Sequence, residues 1–141
     1  MKEPAISFSP WVAWDQRTMV EGKEKPGAYL LGRFPDGPPA GGAADPRSPS
    51  VVYIGETHGH KRSLAARWHL FGRAAFGRGS GHSGGIKYAE LYGQDARALY
   101  VSAFPVSLPE PHGSAFIIYA ERRLIWEYVL ANGQRPPCNS E

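Results

Sequence analysis

Two segments rich in glycine and proline divide this chain and leave room only for short strands and helices between them. Residues 35–50 contain five prolines and three glycines, a composition typical of a long surface loop. Residues 72–85 contain six glycines and two arginines, which predicts a flexible basic loop. At 141 residues the chain is long enough for one domain and short for two. We expect an N-terminal extension over 1–26 and a domain over 27–141.

The segments between the loops carry the patterns of an α+β fold. Gly72 is expected to end the first helix, and Ser114 and Gly133 to cap the last one at its two ends. This order of elements predicts a small three-stranded sheet, antiparallel or mixed, flanked by helices. Strands are predicted at 27–34, 51–56 and 98–104, and helices at 61–71, 86–92 and 114–131.

Positive charge is concentrated in the middle third of the chain. Residues 57–97 hold seven Lys and Arg against two Asp and Glu, whereas the whole chain has a formal charge of +3. Four of the five histidines lie in the same segment. A basic surface of this kind indicates a polyanionic partner, most commonly nucleic acid. A solvated basic face that only keeps the protein soluble is the alternative.

Simple features exclude several classes of protein. The single cysteine, Cys138, cannot form an internal disulfide framework or a cysteine-based zinc finger. His58 and His60 have no further ligands at zinc-site spacing. The apolar runs are too short to span a bilayer, and the first residues do not have the pattern of a signal peptide. The sequence therefore predicts a cytoplasmic protein without a membrane partner.

The last predicted helix carries a carboxylate within its apolar stripe. At 100° per residue, Glu121 lies within about 60° of four apolar positions. Burying a carboxylate costs several kcal/mol unless a cation, a metal or hydrogen-bond donors meet it. Glu121 is therefore either a structural partner of a buried arginine, or a metal ligand or catalytic acid at the floor of a cleft. The four apolar positions are Ile117, Leu124, Ile125 and Tyr128.

The first predicted helix offers an arginine at the edge of the core. Arg67 lies about 60° from the centre of the apolar stripe of this helix, where a cleft would open. Arg62 and His69 face the opposite side, so Arg62 is better placed to contact solvent or a distant phosphate. The stripe consists of Leu64, Trp68 and Phe71.

Six landmarks follow one another along the chain: Gly27-Ala28-Tyr29, Tyr53-Ile54-Gly55, Arg67-Trp68, His82-Ser83 before Ile86-Lys87, Glu121 and Asn139. In this order they resemble the GIY-YIG nucleases, the family of catalytic domains found in homing-type and restriction-type endonucleases. Ala28 stands where the family has a larger aliphatic residue, and the 35–50 loop is longer than is usual there. The spacing from Gly55 to Arg67 is also long, which leaves Arg62 as an alternative match.

The resemblance implies a metal-dependent endonuclease that hydrolyses DNA phosphodiester bonds, either of restriction type or selective for a DNA structure or strand. It implies one Mg²⁺, or Mn²⁺, held by Glu121, with Arg67 on the phosphoryl oxygens. Tyr29 would accept the proton of the attacking water and Tyr53 would assist, with His69 or His82 tuning the transfer. Asn139 would orient the substrate or support the Glu121 pocket. The implied substrate-binding positions are Gly55, Arg62, Arg73, Arg78, His82 and Asn139.

Other readings of the same residues stay open. Tyr29 and Tyr53 are either aromatic residues packed on the sheet or exposed site residues, and their less apolar strand faces favour exposure. The 72–85 loop is expected to be mobile and to order on DNA through Arg73 and Arg78. A non-catalytic nucleic-acid-binding module would share these features. A partner-binding domain would use Trp11 and Trp14 as its interface, and a homodimer would suit an enzyme that cuts palindromes.

Overall fold

An antiparallel sheet of four strands, in the order β1-β4-β2-β3, forms the centre of the computed structural model, which describes residues 2–140. The predicted α+β class is confirmed, whereas the predicted count of three strands is wrong. The sheet has β2 in its interior, paired with both β3 and β4. The strands are β1 (Val12–Ala13), β2 (Gly27–Arg33), β3 (Val51–Thr57) and β4 (Leu99–Pro105), and the helices are α1 (Leu64–Phe76), α2 (Ser83–Tyr92) and α3 (His112–Asn132).

Each face of the sheet has its own hydrophobic cluster because successive strand residues point to opposite faces. Tyr29 and Leu31 of β2 pack with α1 and α2 on one face. Ala28 and Leu30 pack with α3 on the other face. β2 is therefore buried on both faces, and a residue at its end is positioned by both layers.

The N-terminal residues belong to the domain. Val12 pairs with Val101, so β1 adds a fourth strand beside β4. The ring of Trp14 is 4% exposed and lies 5.4 Å from that of Phe71 on α1. A buried Trp14 is a core residue, so the reading of Trp11 and Trp14 as one exposed partner interface is wrong.

The glycine-rich segment is mostly helical, contrary to the predicted loop over 72–85. Ser63 caps α1 by accepting a hydrogen bond from the Ala66 N–H, and the helix continues through Gly72 to Phe76. The ring of Trp14 covers the helix surface at Gly72, so this glycine serves packing and does not end the helix. The true loop between α1 and α2 is residues 77–82, less than half of the predicted length.

The last helix begins before the predicted Ser114 cap. α3 starts at His112, and the carboxylate of Glu110 accepts the Ser114 N–H at 3.1 Å. Gly133 follows the helix with a φ of +79°, so the predicted glycine stop is confirmed. Residues 35–50 form the predicted long loop, although Ala44 within it is buried and donates its N–H to the Ser9 carbonyl. None of the described helices has both the length and the apolar character needed to cross a bilayer.

Candidate active site

Tyr29 and Tyr53 lie side by side on neighbouring strands, with ring centroids 6.0 Å apart. Gly55 stands directly opposite Tyr29 in the β2–β3 register. A Cβ atom at Gly55 would lie 2.6 Å from Tyr29 Cζ and 2.5 Å from the Tyr53 ring. Gly55, predicted as a substrate-binding position, therefore leaves the space in which the two phenol rings meet.

Tyr29 and Tyr53 differ in their access to solvent. Tyr29 is fully buried, so the expectation that it is exposed is wrong. The reason is that α1 and α2 both cover this face of the sheet, and Trp68 of α1 packs edge-on against the Tyr29 ring at 6.1 Å. Tyr53 is half-buried and reaches a cavity.

His82 contacts the Tyr29 hydroxyl from the start of α2. Its Nδ1 accepts the Gly85 N–H at 3.2 Å, and its Nε2 lies 3.1 Å from the Tyr29 oxygen. Because Nδ1 is an acceptor, the neutral ring carries its proton on Nε2 and donates it to Tyr29. Burial, followed by the charge of Arg67, lowers the pKa of His82 to about 4, so the ring is neutral near pH 7. His82 is thus a buried helix cap and not part of a mobile loop.

Arg67 and Glu121 place opposite charges close to both tyrosines. Burial raises the pKa of Tyr29 well above its ordinary value and raises that of Tyr53 as well. The Arg67 guanidinium opposes this in both cases, by its charge and by hydrogen bonding, whereas the negative charge of Glu121 adds to it. These four side chains, which come from β2, β3, α1 and α3, therefore form one electrostatically connected cluster.

Glu121 opens on a small cavity of about 160 Å³. Its side chain is 20% exposed, and its Oε1 lies 3.8 Å from Arg122 Nε. Tyr53 from β3 and Ser83 from α2 line the same cavity, so elements from both faces of the sheet meet there. The remaining lining residues are Arg122, Ile125, Asn139 and Ser140.

The residues around Glu121 fit a magnesium ion of the kind that keeps most of its water. Over residues 2–140, no three side chains among His, Cys, Asp and Glu come together as a metal-binding group. Mg²⁺ is usually bound by one or two carboxylates, several waters and substrate phosphates, and does not need a cage of protein ligands. One partly exposed carboxylate in a cavity that Ser83 and Ser140 also line is compatible with that kind of binding.

Asn139 holds the outer edge of β3 beside the cluster. Its Oδ1 accepts the Ile54 N–H and its Nδ2 donates to the Ile54 carbonyl, both at 2.9 Å. The Cys138 N–H also donates to the Val52 carbonyl. Of the two roles implied for Asn139, the geometry corresponds to support of the site, because its amide group fixes the strand residue between Tyr53 and Gly55.

The other predicted site residues lie away from the four-residue cluster. His69 is exposed on α1, about 200° around the helix from Arg67, so it does not face the tyrosines. Arg62 lines a separate, larger cleft together with Arg67. Arg73 is exposed on α1, and Arg78 is exposed on the 77–82 loop.

Sequence reasoning missed Ser83 and Ser140 as lining residues and Gly84 as a packing residue. A Cβ atom at Gly84 would lie 2.5 Å from the Tyr53 ring, so the N-terminal turn of α2 passes directly over that ring. The glycine pair Gly84-Gly85 carried a signal for close approach, but the sequence does not show which side chain approaches.

Comparison with known proteins gives no independent indication of what the four-residue cluster does. No protein-family model matches the chain, and neither does any curated protein or any solved structure. A function must therefore be argued from the geometry of the site and from the residue pattern.

Proposed function

We propose that this protein is a divalent-metal-dependent endonuclease that hydrolyses DNA phosphodiester bonds, and that its catalytic domain is of the GIY-YIG type. One observation carries the proposal. The rings of Tyr29 and Tyr53 lie 6.0 Å apart, and the charges of Arg67 and Glu121 both act on them. These four residues, which the family resemblance singled out, are spread over about two thirds of the chain.

Each charged group has a task in phosphodiester hydrolysis. The reaction needs an activated water, and it needs positive charge on the phosphoryl oxygens in the transition state. Arg67 presents a planar set of N–H donors that suits two phosphoryl oxygens. Glu121 would hold Mg²⁺ or Mn²⁺, which when bound supplies further positive charge at the phosphate.

Tyr29 is proposed as the base, because His82 contacts its oxygen and the charge of Arg67 lies nearby. The His82 Nε2–H and the Arg67 guanidinium both favour the phenolate form of Tyr29, whereas burial disfavours it more strongly. Tyr29 therefore stays protonated at neutral pH in the substrate-free protein and ionises only at alkaline pH. Tyr53, which reaches the Glu121 cavity, would orient the phosphate or the water.

The decisive experiment combines a cleavage assay with a matched pair of carboxylate variants. Purified wild-type protein is incubated with supercoiled plasmid, linear duplex and single-stranded DNA, in Mg²⁺, in Mn²⁺ and in EDTA. Glu121→Gln should bind DNA and not cleave it. The control is Glu127→Gln on the same helix, where Glu127 makes only a surface ion pair with Arg123 and should be dispensable for cleavage.

Two results would contradict the proposal. One is a folded wild-type protein that cleaves none of the three DNA forms with either metal. The other is cleavage that Glu121→Gln leaves unchanged, since that activity would come from a contaminant or from another site.

A non-catalytic nucleic-acid-binding module is the second candidate function. The observation that favours it is the excess of positive charge in residues 57–97, which requires no chemistry. Such a module would bind DNA equally well in Mg²⁺ and EDTA once ionic strength is matched, and its affinity would fall steeply with salt.

Two further measurements would decide between a restriction-type homodimer and a strand-selective monomer. They are the sequences at the ends of any cleavage products and the mass of the protein in solution.

A further inference from the structure

The loop between β3 and α1, residues 58–63, forms a basic cleft beside the proposed active site. The cleft has a volume of about 500 Å³, and the half-buried Arg67 is one of its lining residues. Lys61 and Arg62 contribute two further cationic side chains, and His58 and His60 contribute two imidazoles. The cleft thus contains the arginine that would meet the scissile phosphate together with the more exposed Lys61 and Arg62.

The charges of Lys61 and Arg62 are not used in ion pairs within the described part of the chain. The one carboxylate of the cleft, Glu56, is engaged by His58, with 2.7 Å between Oε2 and Nδ1. No carboxylate of residues 2–140 lies within ion-pair distance of Lys61 or Arg62. Both cations also line a neighbouring pocket that contains Glu24 and Glu110, but neither carboxylate reaches ion-pair distance, so the charge of Lys61 and Arg62 is available to an anion.

Lys61 adopts a backbone conformation that is unfavourable for a residue with a side chain. The Arg62 N–H donates to the Gly59 carbonyl at 3.3 Å, which closes a turn with Lys61 in its third position. Lys61 has a φ of +64° and is the one residue other than glycine with a positive φ between positions 2 and 140. Glycine or asparagine is favoured at such a position. A lysine there sacrifices backbone stability and keeps a cation on the cleft.

The N-terminus of α1 does not account for the anion-binding character of the cleft. The Leu64 and Ala65 N–H groups donate to the carbonyls of Lys25 and Lys23, and the Ala66 N–H donates to Ser63. The first amides of the helix are therefore already satisfied by protein acceptors, and the side chains of the loop must provide the binding.

We propose that the 58–63 loop binds the DNA phosphate that neighbours the scissile phosphate, with Lys61 and Arg62 as its ligands. The inference rests on the proposed function, which puts the scissile phosphate at Arg67. The DNA strand would then continue from Arg67 to the more exposed Lys61 and Arg62. The sequence predicted that the glycine-rich segment 72–85 makes the main contact with the DNA backbone. The proposal assigns this contact to the loop before α1. The ligand class is a phosphodiester of a nucleic-acid strand.

Lys61→Gly tests the proposal because a role in binding and a role in structure predict opposite effects. DNA affinity is measured by fluorescence anisotropy with a labelled duplex in EDTA, so that cleavage does not interfere. Loss of one phosphate contact should weaken binding about eightfold at 0.1 M salt and reduce the slope of log K against log salt by about one. The melting temperature should be unchanged or higher, since glycine relieves the positive φ.

Two further variants complete the design. Lys61→Arg keeps the cation and should retain the wild-type slope. Arg97 is paired with Asp95 just before the start of β4. Arg97→Ala removes this cation and should leave the DNA affinity and the salt slope unchanged.

The outcomes separate this proposal from the proposed nuclease function. If Lys61→Gly binds like the wild type, or if its melting temperature falls by several degrees, the phosphate site is overturned, whether or not the wild type cleaves DNA. If Lys61→Gly loses affinity as expected while no variant cleaves with Mg²⁺ or Mn²⁺, the phosphate site stands and the nuclease function is lost.

Discussion

Acid should destabilise this protein through His82, because the folded state holds that ring neutral. The unfolded chain binds a proton at His82 with an ordinary pKa of 6.5, whereas burial lowers the pKa in the folded state to about 4. Between these two values the unfolded state binds more protons than the folded state. Stability is therefore fully present above pH 6.5 and decreases as the pH falls towards 4.

The size of the effect follows from the difference between the two pKa values of His82. The pKa falls from 6.5 in the unfolded chain to about 4 in the folded protein, and at 1.36 kcal/mol per pH unit this amounts to about 3 kcal/mol, of which about 2 kcal/mol is lost by pH 5. For a small domain with a net stability of about 5–15 kcal/mol, this is a large fraction.

The assay is urea denaturation at pH 7.5, 6.5, 5.5 and 5.0, for the wild type and for His82→Asn. Asparagine keeps an acceptor for the Gly85 N–H at the start of α2 and removes the titrating ring. The variant should be less stable at pH 7.5, because the contact with Tyr29 is lost, but its stability should fall less with acid. His69→Asn, on the exposed side of α1, is the control and should follow the wild type.

The comparison of slopes refutes or supports the reasoning directly. If the wild type and His82→Asn lose stability in parallel between pH 7.5 and 5.0, then His82 is not held neutral by the fold. The inference that the neutral His82 ring donates its Nε2–H to Tyr29 would then be wrong as well.

Three further predictions follow from the same site. Gly55→Ala should destabilise the fold by about 1–3 kcal/mol in urea denaturation because its Cβ would overlap Tyr29, whereas Gly81→Ala, with only an ordinary contact to Leu70, should cost less than 1 kcal/mol. If Tyr29 is the base, the cleavage rate should keep rising with pH up to at least pH 9, since its pKa is raised; a plateau from pH 7 would exclude it in that role. Burial raises the pKa of the Cys138 thiol to about 12, so a thiol reagent at pH 8 should label this residue only after denaturation.

Much of the fold could be predicted because its strands are marked locally. β2 and β3 are runs of apolar residues that end at a proline or at a polar turn. Their observed ends lie within about one residue of the predicted ends. β1 could not be predicted, since two residues carry no periodicity and their pairing with β4 is a long-range event. The reading of Gly72 as a helix stop failed because tertiary packing against Trp14 overrides a local rule.

The candidate site divides in the same way. Helical phase favoured Arg67 over Arg62, and the structure places the charge of Arg67 close to both tyrosines, whereas Arg62 is exposed on the cleft. The burial of His82 could not be predicted, because six glycines indicate mobility while the ring pocket against Phe71 and Tyr53 forms only in the folded chain. The positive φ of Lys61 likewise has no signal in composition.

The segment from Phe8 to Trp14 connects the two hydrophobic clusters across the β1 edge of the sheet. Phe8 belongs to the cluster under α3, Trp14 belongs to the cluster under α1 and α2, and Val12 between them pairs with β4. Neither layer can open without pulling a large aromatic side chain from its own core, so the layers should lose their structure together. In native-state hydrogen exchange, slowly exchanging amides on either side of the sheet would then report one common opening free energy, and removal of residues 1–8 would split them into two groups.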